Sequence, residues 1–344
     1  MLDMIVNPAA SSGRTYLEFH KKIFPLFKGT DCRIHYSTSE RSVGEIAGRL
    51  TVPGRADFVN LVVVGGDGTM NEVLNGIRDF DHTRIGLIPC GSGNDLARDL
   101  GLPDDRKELA SRIIQERTVR ITDLGETILQ DTGQRRLFCV SSGAGFDAQC
   151  CAMAGNAPMK QILNSLRLGK LIYLYEAIKL IFTWKSPHAA LCLAGAQGEG
   201  KEPGEEHFRR FVFAAAMNHR FEGGGFMMSP AAKDDDGFLD VCIVHDLKIP
   251  DFFRFFPSTT KGKHVRQTRV VSQRRSSSIR IRSKVPLWVH TDGEAFGQSV
   301  DIQMRISEMK LNLMNCQAGR EESRGNGGER KWCILWEPGA ARRI

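Results

Sequence analysis

A chain of 344 residues has room for two domains and a sizeable core. Its 41% hydrophobic and 25% charged residues match soluble globular averages, which excludes wholesale disorder and a collagen-like repeat. The formal net charge of +7 favours anionic partners such as nucleotide phosphates or an anionic membrane surface. The sequence carries no RNP aromatic motif, zinc-finger spacing or heptad-plus-basic region, so nucleic acid is not an expected partner.

The chain opens with Asp3 inside a short apolar stretch and has no basic n-region, so Leu2–Val6 reads as a first strand ending in Asn7-Pro8. A second strand is expected over 32–36 and a helix over 42–50. The run 58–64 is broken only by Asn60, as suits a strand buried on both faces of a parallel sheet. After a glycine turn, Met70, Val73, Leu74 and Ile77 form one helical stripe. A further strand over 84–88 leads through a second glycine turn to a helix over 95–100. Residues 1–123 therefore read as an α/β domain, a parallel sheet with helices on both faces.

Beyond Asp123 the pattern changes to strands separated by Gly, Pro and Ser, expected over 136–141, 189–194, 208–216, 239–244, 278–282, 287–291 and 300–306. Such a series implies a second domain over 124–315, mainly an antiparallel β-sandwich, whose last strand can return to the first sheet. One long helical pattern, 161–184, interrupts it. The tail 316–344 is rich in Gly, Arg and Glu and reads as disordered, including its patch from Trp332 to Trp336. The longest apolar run, 171–184, is interrupted by Glu176 and Lys179 and falls short of the ~20 residues of a spanning helix. Nine cysteines with no CxxC spacing suggest reduced thiols rather than a zinc site or a disulfide framework. The expected setting is cytoplasmic with peripheral membrane association.

The chemistry should sit in the two glycine turns, Gly65-Gly66-Asp67-Gly68-Thr69 and Gly91-Ser92-Gly93-Asn94-Asp95. Each joins the C-terminal end of a strand to the start of a helix, where open α/β sheets place ligands. Glycines let backbone N–H groups approach an anion, and a helix N-terminus adds about half a positive charge. Asp67 beside a polyphosphate needs a cation such as Mg²⁺ between them. There is no GxxxxGK[ST] motif, so a Walker-type ATPase is not expected. The relaxed dinucleotide match from Gly143 to Ala148 lacks an acid ending a second strand ~20 residues on.

Taken with Met70-Asn71-Glu72 and Leu96-Ala97, the two turns resemble the catalytic-domain signature of the diacylglycerol and sphingosine kinase family. The resemblance runs from Asn7-Pro8, Ser12-Gly13 and Thr38 through Gly143 to Ala148 and Gly223-Gly224-Gly225-Phe226. It ends with Pro230, the acidic loop Asp234 to Asp240 and Asp292-Gly293-Glu294. It covers most of 1–315, and its closest layout is that of the soluble bacterial lipid kinases. The first glycine motif alone is shared with NAD kinases and phosphofructokinases.

The resemblance implies ATP held by Asn7, Thr38, the backbone of Gly65, Gly66, Asp67, Gly68, Thr69, Met70 and Asn71, and Ser92. It implies a water and Mg²⁺ network around Asp67, Asp95 and Asp123, with Asp67 also catalytic. It implies a second, structural Mg²⁺ in the loop 233–238, bound by Asp236 and the carbonyls of Lys233 and Phe238. Three consecutive acids leave open which one binds. Glu294 takes the role of general base, and the implied reaction is phosphorylation of diacylglycerol. Alternatives are another lipid alcohol such as sphingosine or phosphatidylglycerol, an NAD-kinase-like soluble kinase, and a non-catalytic lipid or nucleotide sensor. The helical pattern 161–184 and the basic stretch 261–284 are candidate membrane contacts or, equally, core and solvated surface. A homodimer is the default assembly.

Overall fold

The computed structural model describes residues 1–115, 118–156, 170–195 and 204–314. In the first half, β1 (Leu2–Val6), β2 (Cys32–Tyr36), β3 (Val59–Gly65) and β4 (Thr83–Pro89) lie side by side in the order β2-β1-β3-β4, all parallel. β1, β3 and β4 are buried on both faces, which explains their nearly unbroken apolar runs, whereas β2 at the edge is only half-buried. Ile5, Leu61, Val63, Ile85 and Leu87 pack against α2 (Val43–Leu50), α3 (Asp67–Leu74) and α4 (Asp95–Asp99). Met4, Val6, Val62, Val64 and Ile88 face the other way, against Phe19, Phe27 and α5 (Arg106–Gln115). Helix α2 is fixed at its start by a capping box between Ser42 and Glu45.

The second half is antiparallel. β5 (Val119–Leu129), β6 (Gln134–Phe138), β7 (Ser141–Gly145), β8 (Ala189–Ala194), β9 (Glu205–Phe208) and β10 (Phe211–Met217) are followed by β11 (Phe221–Glu222) and β12 (Phe226–Met227). Then come β13 (Leu239–His245), β14 (Val271–Ser276), β15 (Ser278–Thr291) and β16 (Glu294–Met314). Along β10 the side chains alternate with period two. From Phe213 on, Ala214 and Ala216 join the interior with Leu191, Val241, Ile281 and Ile302, while Phe213, Ala215 and Met217 face a helical layer; the alternation starts after a break in register between Phe211 and Phe213. That layer is α6 (Phe146–Asn156), α7 (Lys170–Thr183) and α8 (Ile249–Thr259).

The two halves share one strand. The first part of β16 pairs with β15, whereas Asn312 and Leu313 run parallel to Arg84 and Ile85 of β4. On its other side β16 pairs with β5 over most of its length.

Several elements differ from the sequence reading. The single strand expected at 136–141 is two, β6 and β7, because Cys139 and Val140 turn to donate their N–H groups to Asp292. The strands expected at 278–282 and 287–291 are one, β15, with a break in register between Arg282 and Leu287. Helix α3 begins at Asp67, a turn before the apolar stripe at Met70. The Gly143 to Ala148 match is the buried strand β7 running into α6. Of the helix expected at 161–184, residues 161–169 fall outside the described residues, as does the tail 316–344.

Candidate active site

The parallel sheet reverses its direction of winding between β1 and β3, the place where open α/β sheets bind ligands. Asn7 and Gly65–Thr69 flank that point, and Ser37-Thr38 follows β2. The Asn7 side chain is turned inward on its own loop, accepting from the Ala9 N–H at 3.1 Å. Thr38 Oγ1 accepts from the Glu40 N–H at 3.3 Å. Ser92 is exposed at the tip of the second glycine turn.

The two glycine turns are packed on each other. A Cβ on Gly91 would stand 2.6 Å from the Gly66 Cα, and one on Gly66 would stand 2.9 Å from the Gly91 Cα, so neither position has room for a side chain. Asn94 holds the second turn from within, with φ of 52°, its side chain bonded to both N–H and C=O of Gly91 at 2.9 Å. Asp67 staples the turns together. Its carboxylate leaves the start of α3 and accepts from the Asp95 N–H at 3.1 Å and the Leu96 N–H at 3.3 Å, the first donors of α4.

Asp67 and Asp95 are electrostatically coupled carboxyls. Burial raises the pKa of Asp67, and the charge of Asp292 adds to the rise against the backbone donors. Burial and then the charge of Asp67 push Asp95 up to about 6. Asp95 is ion-paired to Arg98 and accepts from the Gly224 N–H at 2.6 Å, which brings the glycine run after β11 against the second turn. Asp123 has other partners. It bonds to Lys310, accepts from Gly237 N–H at 2.6 Å and donates its own N–H to the Asp234 carbonyl at 2.6 Å. Thr69, Met70 and Asn71 are buried.

Glu294 comes to the first glycine turn from the far end of the sequence. It is exposed on the tip of the β15–β16 hairpin, and a Cβ on Gly68 would lie 2.5 Å from its Oε1. The hairpin is held by its neighbour Asp292, at φ of 50°, whose buried carboxylate accepts four N–H bonds besides a longer one from the Cys139 thiol. The four come from Val140 N–H at 2.7 Å, Ser141 N–H at 3.0 Å, Cys139 N–H at 3.1 Å and Asn71 Nδ2 at 2.7 Å. Asn71 belongs to α3, so one carboxylate ties the helix that follows the first glycine turn to the hairpin that carries Glu294.

Two neighbours were not singled out from the sequence. His290 is fully buried, 3.4 Å from Asp147 Oδ2 and 3.2 Å from Glu222 Oε1. Burial opposes its charge, but Glu222 and Asp147 outweigh that and raise its pKa to about 10. Only Asp147 lay within a noted motif; Glu222 and His290 have no spacing signal and are joined by the fold.

In the loop 233–238, Lys233 and Asp235 are exposed, Asp236 is ion-paired to Arg275 and Asp234 to Arg120. In the basic stretch 261–284, Arg269, Arg274, Arg275 and Arg280 are paired to Asp251, Glu206, Asp236 and Asp301. In α7, Ala177, Leu180 and Ile181 are buried while Tyr175, Ile178 and Phe182 are exposed, so the helix is core on one side and apolar surface on the other. Among the described residues no helix is long and apolar enough to cross a membrane.

Comparison with known proteins agrees with this fold. Residues 2–126 match the diacylglycerol kinase catalytic domain, and residues 141–314 match the YegS C-terminal NAD kinase beta sandwich-like domain. A Bacillus subtilis protein named "Putative lipid kinase YtlR" is 30% identical over 241 residues, 69% of this chain and 74% of its own. A diacylglycerol kinase of Mycobacterium tuberculosis is 28% identical, covering 68% of this chain and 70% of that one. The crystal structure of a diacylglycerol kinase from Bacillus anthracis superposes with a TM-score of 0.62 at 20% identity, over 91% of this chain and 96% of its own, a likeness of fold. The chain belongs to the diacylglycerol kinase catalytic-domain family of lipid kinases.

Proposed function

We propose that this lipid kinase transfers the γ-phosphoryl group of ATP to the hydroxyl of diacylglycerol, giving phosphatidic acid. The observation that carries the reading is the contact of Glu294 with Gly68, which sets a carboxylate against a glycine turn built to receive phosphates. The backbone N–H groups at the start of α3 cradle the phosphates, and the helix N-terminus favours their charge. Glu294, open to solvent at the hairpin tip, takes the proton from the acceptor hydroxyl as it attacks in line. Asp292 holds the hairpin that carries Glu294, and Asp67 holds the two turns at one spacing.

Asp67 and Asp95 suit Mg²⁺, because oxygen donors are what that ion takes and a cation would offset the burial, and after it the like charges, that raise both pKa values. Bound beside them, it would offset phosphate charge. Asp123 stands apart from the pair among its described partners, so a role in that network would run through water.

Diacylglycerol is favoured by the names of the relatives, several of which are diacylglycerol kinases. The deciding experiment is labelled ATP with Mg²⁺ and a panel of lipids in mixed micelles: diacylglycerol, sphingosine, phosphatidylglycerol and a polyprenol, with NAD as soluble control. Label in phosphatidic acid alone is the expected result; label in another lipid or in NAD reassigns the acceptor. Glu294→Ala should lower kcat by about 10²-fold or more with an unchanged melting midpoint. A folded variant with wild-type turnover would remove Glu294 from the base role.

Such an enzyme works at a membrane surface. The exposed Tyr175, Ile178 and Phe182 with Lys179 give α7 an apolar stripe flanked by charge, as interfacial helices have. Binding to anionic vesicles should weaken steeply between low and physiological salt; a salt-independent partition, or none, would count against an anionic surface as partner.

A further inference from the structure

The acidic loop 233–238 is where the family resemblance implies a structural Mg²⁺. The side chains around it do not fit such an ion, because the carboxylate expected to bind it is already matched to a guanidinium. Asp236 is ion-paired to Arg275, and its Oδ1 also accepts from the Phe238 N–H at 3.1 Å. The same guanidinium lies 5.2 Å from the centre of the Phe238 ring, within cation–π range, so Arg275 meets both Asp236 and the last residue of the segment that would wrap the ion.

The rest of the loop is compensated in the same way. Asp234 is ion-paired to Arg120 and lies 3.8 Å from His219 Nε2, and Asp235 is exposed, 4.0 Å from Arg120. Asp123, whose carboxylate accepts the Gly237 N–H, is ion-paired to Lys310. Four carboxylates therefore face Arg120, Arg275 and Lys310, three side chains that stay charged at neutral pH. A divalent ion at Asp236 would have to displace a guanidinium held by charge, by aromatic contact and by strand register.

The register is the third restraint. β13 begins directly after the loop, and β14 pairs with it antiparallel so that Arg275 stands opposite Asp240. Directly opposed residues project from the same face of a sheet, so the backbone ladder delivers Arg275 to the side on which the loop closes. A guanidinium is charged at every working pH and presents several donors in a rigid fork, which suits it to replace a metal that draws oxygen ligands together.

We propose that Arg275 is the built-in cation of this loop, standing in the place of the divalent ion and holding the segment closed without metal. The inference does not rest on the identity of the phosphoryl acceptor, nor on the chain being active. Removing the guanidinium should uncover a cation site made of Asp236 and the loop carbonyls, open to Mg²⁺ and especially to Ca²⁺, which tolerates irregular oxygen cages.

The test is the thermal unfolding midpoint of the full chain without nucleotide, in EDTA and then in about 5 mM MgCl₂ or CaCl₂, since an ion that binds only the folded state raises the midpoint with its concentration. Any wild-type response comes from an ion at Asp67 and Asp95 and should be the same in Asp236→Asn. Arg275→Ala should melt lower in EDTA and recover in a concentration-dependent way with Ca²⁺ or Mg²⁺, and adding Asp236→Asn should abolish the recovery. Arg275→Lys, which keeps the charge, should respond to metal only as the wild type does. A wild-type midpoint that climbs with either ion and stops climbing in Asp236→Asn would overturn the proposal, as would an Arg275→Ala protein indifferent to both. If Arg275→Ala does not fold, the wild-type and Asp236→Asn titrations decide alone: a wild-type response that Asp236→Asn keeps, or none in either, supports the built-in cation, and a response that Asp236→Asn loses refutes it.

Discussion

At the scale of single residues, Gly68 separates stability from activity more cleanly than the carboxylates do. It is the second residue of α3 and its backbone φ lies outside the left-handed region, so alanine fits the helix and would by itself stabilise it by about 0.5–1 kcal/mol. The obstacle is Glu294, whose Oε1 would be 2.5 Å from the new Cβ and whose Cδ would be 3.3 Å away. The far end of a flexible side chain can swing aside at little cost, so Gly68→Ala should fold with an unchanged or slightly higher midpoint. A carboxylate displaced by an ångström or so loses its alignment, and kcat should fall about 10²-fold. The paired measurement is calorimetry beside steady-state kinetics. Wild-type turnover in Gly68→Ala would mean that Glu294 does not act from where it stands.

The scale of elements brings out what the sequence could and could not convey. The parallel strands were legible because burial on both faces leaves unbroken runs such as Val62-Val63-Val64, and the glycine turns because close approach of two backbones admits no other residue. The β6–β7 break was not legible: what interrupts the strand is Asp292, a partner remote in sequence that draws the amides of Cys139 to Ser141 out of line. The acid at the base of the Asp-Gly-Glu turn could be seen, but not the four donors that give it a task. Glu222 and His290 were invisible for the same reason, since a cluster assembled from β11, α6 and β15 has no spacing of its own. Helix α8 was also missed, because its apolar run Phe252-Phe253 and Phe255-Phe256 resembles a strand until Asp251 is seen to accept the Lys248 N–H at 3.2 Å, with Pro250 in the first turn.

Just after α8, a short helical turn carries His264 into the core, where Nε2–H donates to the Met228 carbonyl at 3.0 Å and the ring edge meets Phe255. Burial lowers its pKa and outweighs the carbonyl, so the folded chain holds His264 neutral at a pH where the unfolded chain protonates it. The sign follows. Stability from this residue is complete above the ordinary histidine pKa and is lost as pH falls towards the lower folded value. Between pH 7.5 and pH 5.0 the wild-type midpoint should drop further than that of His264→Gln. Parallel pH profiles would show that the ring titrates alike in both states.

For the whole molecule the decisive feature is β16, which lies against β15 at one end and between β4 and β5 at the other. Its last residues serve the α/β half: Leu311 and Leu313 are buried in the cluster formed by Leu61, Ile85 and Leu137. Its first residue is Glu294. A continuous hydrogen-bonded strand cannot keep one half ordered while the other melts without breaking its own ladder, so the two halves should unfold as one unit. The chain is well placed to show this, because all four tryptophans, Trp184, Trp288, Trp332 and Trp336, lie beyond the α/β half. Trp332→Phe and Trp336→Phe leave fluorescence as a reporter of the second half alone. In that background Leu313→Ala, a truncation in the core of the first half, should remove about 2–4 kcal/mol. The fluorescence midpoint in urea should then fall together with the midpoint from far-ultraviolet circular dichroism. Were the fluorescence transition to stay where it was while the dichroism transition split, β16 would be a tether between independent units, and the alignment of Glu294 over Gly68 would have to come from Asp292 and Asn71 alone.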